Sequence, residues 1–166
     1  MCFNSNLIRL LIISSLMIGN IAHSREKAPD FSLPQLNGSQ VIKLSNSLGK
    51  VVYLDFWASW CPSCVKVLPM LEQWQNQFPK KLKILTINVD ENEQQAVSFL
   101  KRLNITLAVG YDQDLTVARA YQATVLPYSF IINHHGDIIY KHKGFQADDD
   151  KLLKQKLIEA LKAVER

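Results

Sequence analysis

VVYLDFWASWCPSC, residues 51–64, decides how this chain is read. Its first half, Val51 to Phe56, is a short run of apolar, β-branched and aromatic residues and predicts a buried strand. After Cys64 the period changes. Val67, Leu71, Trp74 and Phe78 recur at steps of 4, 3 and 4, which marks one face of a helix. The Cys-Pro-Ser-Cys pair therefore falls at a strand-to-helix junction. Pro62 suits the first turn of the helix, where its missing N–H costs nothing, and this puts Cys61 at the helix N-terminus. The free N–H groups and the dipole there favour a thiolate, the nucleophile of disulfide exchange. Cys64, one turn in, is expected to face the core and to reach back to resolve a mixed disulfide.

Around this stretch the composition is that of one globular domain. The chain has 166 residues, 48% hydrophobic and 20% charged, enough to bury a core and too apolar for a disordered tail. Nineteen Lys and Arg face fifteen Asp and Glu, a mildly basic balance. The cations are scattered, with Lys80, Lys81 and Lys83 the one cluster, so a solvated face is expected and no nucleic-acid partner. Three cysteines are too few for a disulfide scaffold or a four-cysteine zinc site.

The N-terminus reads as a targeting segment. No charge separates Arg9 from Arg25, and Leu10 to Ile18 is strongly apolar. That run is short for a spanning helix. One cation, a short apolar core and the small-x-small step Ala22-His23-Ser24 fit a secretory signal cut near Ser24. Residues 1–24 are thus read as a signal peptide and 25–166 as the exported domain, with an uncut membrane anchor as the other possibility. Cleavage removes Cys2 and leaves Cys61 and Cys64. A pair three apart constrains little of the unfolded chain, which suits a dithiol that opens and closes rather than a staple. A metal site needs further soft ligands, which the histidines are poorly placed to supply.

The other segments follow the same logic. Phe31 to Leu33 and Val41 to Leu44, around Asn37-Gly38, predict an N-terminal hairpin. Ile84 to Val89 is a second core strand, and Ala96, Phe99, Leu100 and Leu103 have helical spacing with Asn92 as cap. Thr106 to Tyr111 reads as a short strand, Leu115 to Tyr121 as a short helix and Ile138 to Tyr140 as an edge strand. Leu153, Leu157, Leu161 and Val164 face a final helix inward, with Asp148, Asp149 and Asp150 at its start, where negative charge suits the dipole.

Asp55-Phe56-Trp57-Ala58-Ser59-Trp60-Cys61-Pro62-Ser63-Cys64, with Pro69 five residues on, resembles the active-site segment of thioredoxins. Ala28-Pro29-Asp30-Phe31-Ser32-Leu33 is similar to the leading segment of the TlpA/ResA group of exported thioredoxin-like proteins. Thr124-Val125-Leu126-Pro127 before Ser129 to Asn133 resembles that family's cis-proline loop and following strand, and His135-Gly136-Asp137 its hairpin turn. The resemblance covers residues 28 to 165. It implies an α/β thioredoxin fold: a central mixed sheet flanked by helices, an N-terminal hairpin and an inserted strand and helix before Pro127. It also implies a cell-envelope, periplasmic thiol-disulfide oxidoreductase that needs no cofactor. Cys61 attacks, Cys64 resolves, and Asp55 takes the proton of Cys64. Leu126 and a cis Pro127 present backbone to the substrate, and Trp60 with Pro62 forms a shelf beside Cys61. The implied partners are disulfide-containing exported proteins, among them cytochrome c apoproteins and copper-site proteins, and a DsbD-type membrane electron donor. A monomer is expected.

Asp55 also has a reading of its own: a carboxylate inside an apolar strand is expensive without a task, and burial raises its pKa toward neutrality. Val67 departs from the TlpA/ResA pattern, in which a glutamate commonly stands three residues after the second cysteine. Asp55 is then expected to be the one acid near the motif. Tyr128 replaces the threonine common after the cis-proline. Trp57 is expected in the core. His134, His135 and His142 are expected to be solvated, although some exported thioredoxin-like proteins carry copper. A copper-holding or protein-binding module is therefore one alternative function. A peroxidase of the related redoxin group is another, though Ser59 rather than a threonine stands near Cys61 and no proline precedes in register.

Overall fold

The computed structural model describes residues 25–36 and 38–164. The signal-peptide reading of residues 1–24 and the Asn37 corner of the hairpin lie outside them. Among the described residues no helix is long and apolar enough to cross a membrane.

A hairpin opens the domain, β1 (Ser32–Pro34) pairing antiparallel with β2 (Val41–Lys43). The central strand β3 (Val51–Trp57) is buried along its whole length, as its unbroken apolar run requires. It leads into α1 (Cys64–Gln77), and β4 (Leu82–Asn88) returns parallel to β3. A second crossover through α2 (Glu93–Leu103) reaches β5 (Val109–Tyr111), parallel to β4. The short α3 (Thr116–Ala120) precedes β6 (Tyr128–Ile132), antiparallel to β3, then β7 (Ile138–Lys143) and α4 (Asp149–Ala163). The order β5-β4-β3-β6-β7 makes a mixed five-stranded sheet.

Strand alternation sends successive residues of β3 to opposite faces. Val52, Leu54 and Phe56 pack with the hairpin residues Phe31, Leu33 and Ile42 and with Val117 and Tyr121 of the α3 segment. Val51 and Tyr53 pack with Val67, Leu71 and Trp74 of α1 and Leu153 and Leu157 of α4. Trp57 continues that second face, stacked on Phe99 of α2 at 5.5 Å and clustered with Cys61, Cys64 and Leu68. Asp55, between Tyr53 and Trp57, thus faces the side of the sheet that α1 covers.

Several boundaries differ from expectation. Helix α1 begins at Cys64 rather than at Pro62, and Pro62 and Ser63 form a turn ahead of it, closed by Cys64 N–H donating to the Cys61 carbonyl at 3.2 Å. Thr106 is not in β5: Glu72 on α1 takes its N–H at 3.0 Å before the strand starts. The edge strand β7 runs on to Lys143, and α2 begins as read, Asn92 Oδ1 accepting the Gln94 N–H at 2.9 Å. Gly136 takes φ 84° in the β6–β7 turn, a conformation that suits glycine.

Candidate active site

Cys61 and Cys64 are joined as a disulfide, with Cα atoms 5.4 Å apart. Cys64 is wholly buried and Cys61 keeps 3% of its surface. The first turn of α1 lies just beyond Cys61, so the dipole argument for a thiolate there still holds from one turn away. Ser63 Oγ is 3.7 Å from Cys61 Sγ.

Beside the disulfide Trp60 is 65% exposed, the barest large apolar side chain among the described residues. It borders an open cavity of about 1020 Å³, whose other walls include Val89, Glu91, the α3 residues Ala118 and Arg119, and Val125 and Leu126. The Leu126–Pro127 peptide is cis. Among the described residues no hydrogen bond engages the Leu126 backbone, while the Pro127 carbonyl accepts the Gly144 N–H at 2.8 Å. The loop is pinned on one side of Pro127 and open on the other. Pro62 lies on the far side of the motif, in a second cavity with Lys66, Met70 and Phe145.

Asp55 is fully buried. Its Oδ1 accepts the Ser129 hydroxyl at 2.6 Å, and its Oδ2 has no partner. Burial pushes its pKa up to about 7, opposed only by the Ser129 bond. Burial also drives the Tyr53 phenol far above its ordinary range, with the neighbouring Asp55 charge adding to it. In strand register Asp55 stands opposite Thr86 on one side and Ser129 on the other, and Ser129 stands opposite His142. A polar row therefore crosses the helix-covered face. At its edge His142 Nε2 meets Asp149 Oδ2 at 3.0 Å. Burial pushes Asp149 up, but the Gln146 N–H and His142 together hold it below the usual carboxylate range. His142 is thus a partly buried hydrogen-bond partner of Asp149, not the solvated residue expected, because the β7 register turns it toward α4. His135 is exposed and His134 half-buried. Among the described residues no three His, Cys, Asp or Glu side chains converge as a metal site.

The reading of Asp55 as the one acid near the motif is corrected. Asp90, 1% exposed, takes the Ser59 N–H on both oxygens at 3.1 and 3.0 Å. It also takes the Ser59 hydroxyl at 3.1 Å and the Asn88 side-chain amide at 2.8 Å. It clamps the loop two residues before Cys61. Parallel pairing of Trp57 with Asn88 brings it there across 31 positions of sequence. The signal was present as two polar residues, Asn88 and Asp90, closing an otherwise apolar strand. Val67 is 1% exposed and packs with Leu71 and Tyr53, so no carboxylate occupies that position.

Comparison with known proteins agrees with this geometry. The AhpC/TSA family model matches residues 25–141. The chain is 32% identical over 126 residues to the thiol-disulfide oxidoreductase ResA of Halalkalibacterium halodurans, covering 75% of this chain and 71% of that one. Among solved structures it is similar to a Chlorobium tepidum protein assigned as a thiol:disulfide interchange protein, DsbE. That match has 37% identity and a TM-score of 0.78 over 82% of this chain and 96% of the other. StoA from Bacillus subtilis matches with 27% identity and a TM-score of 0.65 over 77% of this chain and 96% of the other.

Proposed function

The chain belongs to the AhpC/TSA family of thioredoxin-like proteins and is a thiol-disulfide oxidoreductase of the ResA/DsbE type, and from that premise we propose that it reduces disulfides in exported proteins of the cell envelope. The Cys61 thiolate attacks one substrate sulfur, and the other leaves as a thiolate. Cys64 gives its proton to Asp55 and attacks the Cys61 sulfur, which frees the second substrate thiolate and closes the disulfide. Two electrons pass to the substrate, and a membrane donor of the DsbD type returns them. Leu126 offers its unpaired backbone to an extended substrate segment, with Pro127 shaping the loop and Trp60 and Pro62 as the apolar rim. Cytochrome c apoproteins and copper-site proteins are the substrate classes in view, and the protein acts as a monomer with no cofactor. The observation that carries this reading is the conjunction of a redox pair, a cis-proline loop whose Leu126 backbone is unpaired among the described residues, and a buried carboxylate with one oxygen unpaired.

The test is the equilibrium reduction potential of the Cys61–Cys64 pair, read by Trp fluorescence in graded thiol-disulfide buffers, with turnover of a protein disulfide alongside. A potential near roughly −270 mV, and turnover abolished by Cys61→Ser, are expected of a reductase. A value near roughly −120 mV reverses the direction of electron flow.

A further inference from the structure

The second concentration of charge in the molecule lies at the end of the sheet away from the disulfide, where β3 starts. Hydrogen bonds tie its pieces into one edge. Lys27 Nζ donates to the His135 carbonyl at 3.1 Å, and Gly49 N–H to the His134 carbonyl at 3.1 Å. Lys50 Nζ donates to the Pro79 carbonyl at 3.3 Å, and Val51 N–H to the Lys81 carbonyl at 3.0 Å. Arg25, Lys27, Lys50 and Lys80 are exposed along this edge and Lys83 is half-buried. Its acids are already engaged: Asp137 holds Lys27 at 2.6 Å and Arg25 at 3.8 Å, and Glu26 holds Lys141 at 2.7 Å. Among the cations stands Leu48, 41% exposed and in reach of the Gly136 turn.

We propose that this basic edge, on which Leu48 is exposed, docks on an anionic phospholipid bilayer and holds the disulfide end away from it. Three observations choose that occupant. The cations outnumber the acids along an edge that also exposes Leu48, the pattern suited to phosphate headgroups over an acyl boundary. The described chain enters the fold here, at Arg25, directly after the sequence that contains the apolar run Leu10 to Ile18. The disulfide end has no such excess, for Glu91 and Arg119 share the groove there and Lys151 is taken by Asp148 at 2.6 Å. The seven residues of β3 separate the two ends by roughly 20 Å, beyond a Debye length of about 8–10 Å, so a charged surface reads them independently.

The test is flotation of the full-length chain with vesicles of phosphatidylcholine alone or mixed with phosphatidylglycerol. An apolar N-terminus contributes to both vesicle types, so the difference between them isolates the charge term. Binding is expected about tenfold or more in favour of the anionic vesicles at low salt, falling as sodium chloride is added. Lys50→Glu/Lys80→Glu/Lys83→Glu should abolish the preference, and Lys151→Glu/Lys154→Glu/Lys156→Glu, the same change in net charge on α4, should leave it. The milder Lys80→Gln/Lys83→Gln, which keeps the Lys50 bond, should shrink it and guards against misfolding of the triple variant. Equal binding to both vesicle types, or equal loss in the two triple variants, overturns the proposal.

Discussion

Two carboxylates accompany the redox motif, both at most 1% exposed, and they are opposites. Asp90 is saturated: Ser59 and Asn88 supply donors to both its oxygens. Asp55 has one donor and one empty oxygen. A saturated buried carboxylate fixes backbone, because each donor it holds is held in turn. An undersupplied one is poised to take a proton, because burial disfavours its charge with little to offset it. Burial alone does not make a proton carrier; the shortage of donors does.

Replacing Asp55 probes that contrast with the largest effect. The folded pKa of Asp55, about 7, lies above its ordinary 3.8, so the native state holds this proton more tightly than the unfolded chain. Its contribution is fully present below pH ~4 and is lost as pH rises through about 7. Asp55→Asn should therefore be the more stable protein at pH 8, by on the order of 4 kcal/mol at most, with the gap closing toward pH 4. Urea unfolding of the oxidised proteins at the two pH values measures it. On the functional side the mixed disulfide at Cys61 should accumulate in this variant, visible by trapping with a labelled substrate.

Asp90→Asn should do the reverse, destabilising by about 2–4 kcal/mol because a buried carboxyl that takes four contacts from three donors becomes an amide that mismatches some of them. A gain at pH 8 would erase the distinction between the two acids. A smaller perturbation sharpens it. Ser129→Ala removes the one donor to Asp55 among the described residues, so its pKa should rise further and stability at pH 8 should fall by about 1–2 kcal/mol. An NMR titration of the Asp55 carboxyl carbon reads the shift directly. Least of all, Trp60→Ala, on the exposed rim of the groove, should change stability by no more than about 0.5 kcal/mol and show its effect in KM for a protein substrate.

Much of this was legible in one dimension. The apolar run of β3, the 3.6-residue period after Cys64 and the Asn92 cap are local signals, and each produced the element it predicted. Trp57 lies in the core and Trp60 in solvent, as the resemblance of the motif to the thioredoxin active-site segment implied. What failed was nonlocal. Asp90 lies 31 positions from the loop it clamps, and only the parallel β3–β4 register joins them. His142 was read as solvated because nothing near it in sequence shows that α4 brings Asp149 to its ring. The start of α1 slipped by two residues because Pro62 is equally at home in a helical first turn and in the turn that precedes one.

The sequence by itself determined which groups can react: a Cys-Pro-Ser-Cys pair, an acid inside an apolar strand and a tryptophan beside them, all within ten residues of one another. Tertiary structure decided what each acid is for. A carboxylate's role depends on how many donors reach it, and those donors come from other strands, whose register is set by packing of the whole sheet rather than by any local preference.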